Sequence, residues 1–213
     1  MAKVKKAPLT ICGLDEAGRG ALAGPLFLAA VILPCDFDFK KIAPNLIVKD
    51  SKELSCSQRL AVFKIIEKYA LKIDTEIISV EEINSKGINW ANTEGFRRLI
   101  IRNEASQYIV DGRWHLPDLG NKNSLVSCVI GADRTIPATL AAGIVAKIKR
   151  DALMRQLHRK YPFYGWQSNT GHGTLQHLIA IKKYEISPYH RLQFVKTALN
   201  NFKNNQKWQK FAS

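Results

Sequence analysis

Nowhere in the 213-residue chain do about 18 apolar residues run together, so the sequence offers no transmembrane helix. The basic start, MAKVKKAPLTICGLDEAGRG, lacks the long apolar core of a secretory signal, because Asp15 and Glu16 interrupt it. The chain is therefore expected to work in the cytoplasm, with no membrane partner. Cysteine is scarce: Cys12, Cys35, Cys56 and Cys128 are the four, and no two have CxxC spacing. That excludes a disulfide framework and a zinc ribbon, and the thiols are expected to be buried in a reducing compartment. Repeats and low-complexity linkers are missing, which argues for one domain over 1–213, with about 160–213 as a helical basic part of it. The most telling scarcity is of acids late in the chain. Residues 141–213 hold 13 Lys and Arg against 2 Asp and Glu, whereas residues 1–140 hold 19 against 16. The net charge of +14 is thus concentrated in the last third. Such a distribution fits a nucleic-acid footprint, since Lys and Arg displace counterions condensed on phosphates. A solvated basic tail is the competing reading of charge alone.

What is present is an alternation of strand-like and helix-like segments. Leu9–Leu14 and Leu26–Leu33 are short apolar runs separated by the turn Ala17-Gly18-Arg19-Gly20, and they read as adjacent strands. Helical spacing of Leu60, Phe63, Ile66 and Ala70 behind the N-cap residue Ser55 predicts a helix over 57–71. Residues 72–80 read as a strand, 89–106 as a helix with Ala91, Phe96, Leu99 and Ile100 inward, and 107–110 and 125–130 as further strands. A long helix is predicted over 137–161, with Leu140, Ile144, Ile148 and Ala152 buried and Lys147, Arg150, Arg155 and Arg159 off that stripe. A polar loop at 163–173, a helix over 174–184 and a basic amphipathic helix over 191–207 complete an α/β chain.

Three strand-like runs end in acids: TICGLDE in Asp15 and Glu16, YIVDG in Asp111, and LVSCVIGAD in Asp133. Strand ends are where open sheets present ligand-binding groups. Four carboxylates brought together repel one another unless a cation sits among them, and an oxygen-only set suits Mg²⁺ or Mn²⁺ rather than zinc. Taken singly, Asp111 and Asp133 read better as solvent-facing turn residues than as ligands, and only the pattern across three strands turns the reading toward a metal site. Asp15-Glu16 is harder to assign to a turn, because two acids there bring no local stability. The glycines that follow are spaced GxGxxxG, not GxGxxG, and no Gly-Lys-Ser/Thr follows them. With two acids just ahead, neither nucleotide-loop reading holds. His158, His172 and His177, spread over a loop and two helices, read as packing or substrate-contact residues rather than as ligands.

The block Asp15-Glu16-Ala17-Gly18-Arg19-Gly20 with Leu22-Ala23-Gly24-Pro25 resembles the opening signature of the ribonuclease HII family. The resemblance continues in order through Asp50-Ser51-Lys52 with Leu54-Ser55, Val110-Asp111-Gly112, Ala141 to Lys147 with Arg150-Asp151, and Gly171, Gly173-Thr174, His177 and His190-Arg191. It implies a ribonuclease H-like fold: a mixed sheet flanked by helices, with a helical basic C-terminal part. It also implies an endonuclease acting on RNA–DNA hybrids and on ribonucleotides embedded in duplex DNA, as a monomer, leaving 5′-phosphate and 3′-hydroxyl ends. Catalytic carboxylates carry over to Asp15, Glu16, Asp111 and Asp133, which would hold two Mg²⁺ or Mn²⁺ ions across the scissile phosphate. Asp151 is the rival for the fourth place, but its neighbours Lys147 and Arg155 suit a helix ion pair. The resemblance assigns Gly18, Arg19 and Gly20 to the ribose 2′-hydroxyl, the group that separates RNA from DNA. It assigns Lys52, Lys147 and the basic helices to backbone phosphates.

The chain departs from the family pattern at four places. His172 stands where a Tyr packs on the sugar at an RNA–DNA junction, and Gly143 replaces a Ser. Gly131-Ala132 replaces Lys-Gly, and Leu192-Gln193 replaces Arg-Ser. None removes an expected ligand. Ribonuclease HIII is a less apt comparison, since it carries a sizeable N-terminal domain and only about eight residues precede the first expected strand. A DNA nuclease or integrase of the same broad fold competes with this reading, as does a non-catalytic nucleic-acid binder. The binder is disfavoured because uncompensated acids weaken phosphate binding.

Overall fold

The computed structural model describes residues 8–45 and 54–204. Among these, strands β1 (Thr10–Ala17), β2 (Leu26–Pro34), β3 (Lys72–Ile78), β4 (Gln107–Asp111) and β5 (Val126–Val129) form one sheet in the order β3-β2-β1-β4-β5. β1 pairs parallel with β4, and β4 parallel with β5. The Cys35 amide donates to the Leu9 carbonyl and the Leu71 amide to that of Ile32, so β2 ends beside the starts of β1 and β3. Those neighbours run antiparallel and the sheet is mixed, as expected. Leu26 to Leu33 of β2 is buried at every residue, the pattern of a strand covered on both faces.

Short-range signals account for several helix starts. Helix α1 (Phe39–Ile42) begins behind Asp38, whose side chain accepts from the Lys40 amide. Ser55 caps α2 (Cys56–Tyr69) in a reciprocal capping box with Gln58. The stripe expected on α2 is turned: Val62 and Ile66 are buried while Leu60 is exposed, because the helix packs along its 62–66 line. The strand expected through residue 80 stops at Ile78. Ser79 there accepts from the Glu82 amide at 3.2 Å and Glu82 from the Ser79 amide at 3.1 Å, starting α3 (Val80–Lys86). Helix α4 (Ile88–Arg102) buries Ala91, Phe96, Leu99 and Ile100 completely, as its spacing predicts. It ends earlier than residue 106 because the Lys122 ammonium takes the carbonyls of Ile100, Ile101 and Asn103.

Helices α5 (Ala132–Thr135) and α6 (Pro137–Lys160) follow β5; the sequence pattern gives no sign of α5. Leu140 and Ile144 of α6 are buried as expected, but so is Arg150, which helical spacing placed on the outside. The segment read as a polar loop contains α7 (Trp166–Asn169), and α8 (Leu175–Tyr184) and α9 (Leu192–Asn204) complete the described chain. Residues 205–207 of the last expected helix lie outside the described residues, as does Lys52. Of the cysteines only Cys12, in β1, is buried. Cys35 lies past the end of β2, Cys56 in the first turn of α2 and Cys128 on the outermost strand, so all three are exposed, contrary to expectation.

Packing divides the chain into two compact units. The first comprises Met1–Glu16, Leu28–Glu76 and Thr93–Ile148; the second comprises Ala17–Phe27, Ile77–Asn92 and Lys149–Ser213. The second has its own apolar cluster, which includes Leu22, Met154, Trp166, Leu178, Ile181 and Val195. No helix among the described residues is long and apolar enough to cross a membrane.

Candidate active site

Strand register sets the first two acids side by side. Leu14 of β1 is paired with Val110 of β4, so the next residues, Asp15 and Asp111, stand level at the strand ends. Paired residues on parallel neighbours project to the same face. Asp111 in turn pairs with Val129, the last residue of β5, and the chain then enters α5 with Asp133 in its first turn. A carboxylate oxygen from each of Asp15, Asp111 and Asp133 lies within 4.8 Å of the others. Asp15 and Asp133 are buried and Asp111 is half-buried. Glu16 is half-buried, and its amide donates to Asp15 Oδ1 at 2.7 Å. Burial pushes the Asp15 carboxyl well above the usual carboxylate range, and the nearby charges of Glu16, Asp111 and Asp133 push the same way. The Glu16 amide opposes them only in part.

Two further observations show that this cluster suits a cation. Asp111 Oδ1 is buried with no hydrogen-bond partner, a costly condition for a carboxylate oxygen unless a metal completes it. The donors are all hard oxygens, the set that Mg²⁺ and Mn²⁺ take. The end of β4 that carries Asp111 is anchored by the Trp114 indole, which donates to the Asp111 carbonyl at 2.6 Å and packs on Phe96. Gly143 of α6 lies directly behind Asp15: a Cβ there would stand 2.3 Å from Asp15 Oδ2. The glycine at this position, where the family pattern has Ser, is thus what admits the present Asp15 conformation. Lys147 follows Gly143 by one helical turn on the same face and is half-buried. The cluster contains Asp133 and not Asp151, although Asp151 too is buried on α6.

In the second unit, Gly18, Arg19 and Gly20 follow β1 as a turn closed by the Ala21 amide on the Gly18 carbonyl, with Arg19 and Gly20 exposed. His172 is exposed in the turn between α7 and α8, and its carbonyl is bonded to Nδ1 of the buried His177 at 2.9 Å. His177, read from the sequence as a packing or substrate-contact residue, is buried in a network whose partners the sequence did not indicate. His177 Nε2 meets Trp166 Nε1 at 3.0 Å and His190 Nε2 at 3.1 Å, and the Ser187 amide donates to His190 Nδ1 at 2.9 Å. Burial lowers the pKa of His177, and burial together with repulsion from a protonated His177 lowers that of His190 to about 4.

Residues 12–198 match the family model described as Ribonuclease HII. A curated Ribonuclease HII of Thermosynechococcus vestitus is 37% identical over 190 residues, covering 89% of this chain and 85% of the relative. Among solved structures, the ribonuclease HII of a complex with PCNA from Archaeoglobus fulgidus superposes with a TM-score of 0.69 at 27% identity, over 86% of this chain and 94% of that one. A Bst ribonuclease HIII solved in complex with Mn²⁺ shares the fold, with a TM-score of 0.64 at 20% identity over 93% of this chain and 72% of that one. The mixed sheet with its flanking helices is therefore a ribonuclease H-like fold. By this match the chain belongs to the ribonuclease HII family, metal-dependent endoribonucleases that cleave the RNA strand of RNA–DNA hybrids.

Proposed function

We propose that the protein cuts both continuous RNA–DNA hybrids and duplex DNA carrying a single ribonucleotide, with Asp15, Glu16, Asp111 and Asp133 as its catalytic carboxylates. The meeting of Asp15, Asp111 and Asp133 within 4.8 Å carries this reading. Glu16 joins them by sequence adjacency and by its charge on Asp15. Mg²⁺ or Mn²⁺ is the cofactor the donor set favours, and the Mn²⁺ of the ribonuclease HIII structure supports it. Asp15, Glu16, Asp111 and Asp133 would hold such ions, which would supply charge to offset the scissile phosphate and to acidify the attacking water. Asp111 Oδ1 has a lone pair to give. The water gives up one proton to solvent as its oxygen bonds to phosphorus in line, and O3′ takes up a proton from solvent as the P–O3′ bond breaks, leaving a 3′-hydroxyl and a 5′-phosphate.

Gly18, Arg19 and Gly20 read the ribose 2′-hydroxyl in this scheme, and Lys52 and Lys147 hold backbone phosphates. His172 takes the place of the junction-sugar contact. Its ring covers less apolar area than a phenol, so junction preference is weaker than in a Tyr-bearing relative. We read the chain as one catalytic domain acting as a monomer in the cytoplasm.

A cleavage assay comparing a lone ribonucleotide in duplex DNA with a continuous hybrid, with and without Mg²⁺ or Mn²⁺, tests the reading. Both substrates should be cut only with metal, and His172→Tyr should raise the lone-ribonucleotide rate more than the hybrid rate. Cleavage of the hybrid alone would refute the embedded-ribonucleotide activity. An unchanged substrate ratio in His172→Tyr would remove residue 172 from junction recognition.

A further inference from the structure

Arg150 of α6 and Arg191, just ahead of α9, have no part in the cleavage chemistry, yet both side chains are completely buried. A buried charge is costly to keep unless its donors are well used. Among the described residues, the hydrogen bonds of both guanidinium groups go to main-chain carbonyls. Arg191 donates from Nε to Gly24 O at 2.9 Å and from Nη1 to Arg19 O at 2.8 Å. Arg150 donates from Nη2 to Ala23 O at 3.0 Å, from Nε to Pro25 O at 3.2 Å and from Nη1 to Thr170 O at 2.8 Å. Thr170 stands two residues before His172. The two planar groups therefore fasten residues 19–25 and the turn that carries His172.

The same segment is tied along its amides. Leu22 and Ala23 both donate to Gly171 O, at 2.8 and 3.2 Å, and Gly24 donates to Tyr189 O at 2.8 Å. Gly18 is pressed against the clamp: at its φ of +90°, a Cβ would lie 1.9 Å from Arg150 Nε, so no other residue fits there. Burial lowers both guanidinium groups, Arg150 to about 10 and Arg191 to about 9, with the Arg150 charge adding to the second. Both remain cationic at neutral pH.

We propose that Arg150 and Arg191 are positioning residues that hold the Gly18-Arg19-Gly20 main chain in the shape that reads a ribose 2′-hydroxyl, and so set selection of ribonucleotide over deoxyribonucleotide without touching substrate. The proposal rests on the reading that this tripeptide contacts the 2′-hydroxyl. Recognition of one hydroxyl demands placement to about half an ångström, so it is the first property to go when the main chain relaxes. Phosphate contacts made by long flexible lysines tolerate such a shift. Lysine replaces either arginine only in part, because its donors leave from one point and cannot span separated carbonyls as the planar guanidinium fork does.

The test uses the full chain in EDTA, where nothing is cut. Binding is measured by fluorescence anisotropy to a DNA duplex with one embedded ribonucleotide and to the same duplex made wholly of DNA. Wild type should prefer the first. Arg191→Met should lower that preference by about tenfold through loss of two buried hydrogen bonds, and Arg191→Lys by less. Affinity for the all-DNA duplex should stay within about twofold, because the exposed basic residues are untouched. A folded Arg191→Met that keeps the full preference overturns the proposal, as does equal weakening on both duplexes. Failure of both variants to fold would assign Arg191 to stability and likewise overturn it. A wild type without any preference would instead refute the 2′-hydroxyl reading itself.

Discussion

Replacing Asp111 by Asn should stabilise the metal-free protein while removing its response to metal. The three clustered carboxylate oxygens lie within 4.8 Å of one another. At an effective dielectric constant of about 20, two unit charges at that separation repel by about 3–4 kcal/mol. Asp111 faces two such neighbours, but it is half-buried, so solvent screening discounts that repulsion. A net gain of about 2 kcal/mol is therefore expected for Asp111→Asn, since the amide removes a charge and keeps the shape. For a chain of this length that is an increase of roughly 4–8 °C in Tm in EDTA at about pH 8. The sign with pH follows from Asp15: its folded pKa lies above the unfolded one, so its contribution is fully present below the unfolded pKa and is lost as pH rises through the folded one. The advantage of Asp111→Asn should accordingly shrink as the solution is acidified. Added Mg²⁺ or Mn²⁺ at about 100 times its Kd should stabilise wild type by about 2.7 kcal/mol. The variant should gain less than half of that. Thermal melts followed by circular dichroism, in EDTA and in metal, measure both quantities. An Asp111→Asn protein less stable than wild type in EDTA, or one with an undiminished metal response, would refute the electrostatic argument.

Asp133→Asn should reduce cleavage by about a hundredfold or more while Asp151→Asn stays near wild type, because only Asp133 belongs to the carboxylate cluster; the reverse pattern in a steady-state assay would reassign the fourth ligand. Neutralising the exposed Lys149, Arg155 and Arg159 of α6 with Gln should flatten the log-log dependence of duplex affinity on salt by roughly 0.9 for each phosphate no longer neutralised, and an unchanged slope would confine these residues to solubility. A truncation meant to remove C-terminal charge should begin after residue 204, since cuts at 195 would delete the buried Val195 and Phe202 and should unfold the second unit in a melt. His190, lowered from 6.5 to about 4, contributes stability that is present above its unfolded pKa and lost as pH falls toward its folded one. That is up to about 3 kcal/mol, read as the difference between wild type and His190→Gln in denaturant titrations from neutral to acid pH, and a constant difference would show that the ring titrates normally.

Secondary-structure elements and the meeting of the acids differed in how far they could be read from the chain. The acids at the ends of apolar runs were legible because strand termini, hydrophobic periodicity and capping residues are interactions among near neighbours in sequence. Ser55 announced α2, and Ser79 with Glu82 carried an equally local signal for α3 that the apparent strand alternation concealed. The opening block from Asp15 to Pro25 identified the family without any coordinates.

Tertiary structure decided which polar groups are buried and which acids meet. Helical spacing put Arg150 on the outside of α6, and its burial follows from carbonyls 125 and 127 residues earlier in the chain. Arg191 is held by the Arg19 carbonyl, 172 residues away. The choice of Asp133 over Asp151 depended on the pairing of β4 with β5, which brings the start of α5 to the strand ends. Spacing within the chain weighs only what lies within a turn or two of a residue. The partners that decide whether a buried charge or a carboxylate cluster is tolerated come from segments distant in sequence, and only the folded sheet and its helices bring them within hydrogen-bond reach.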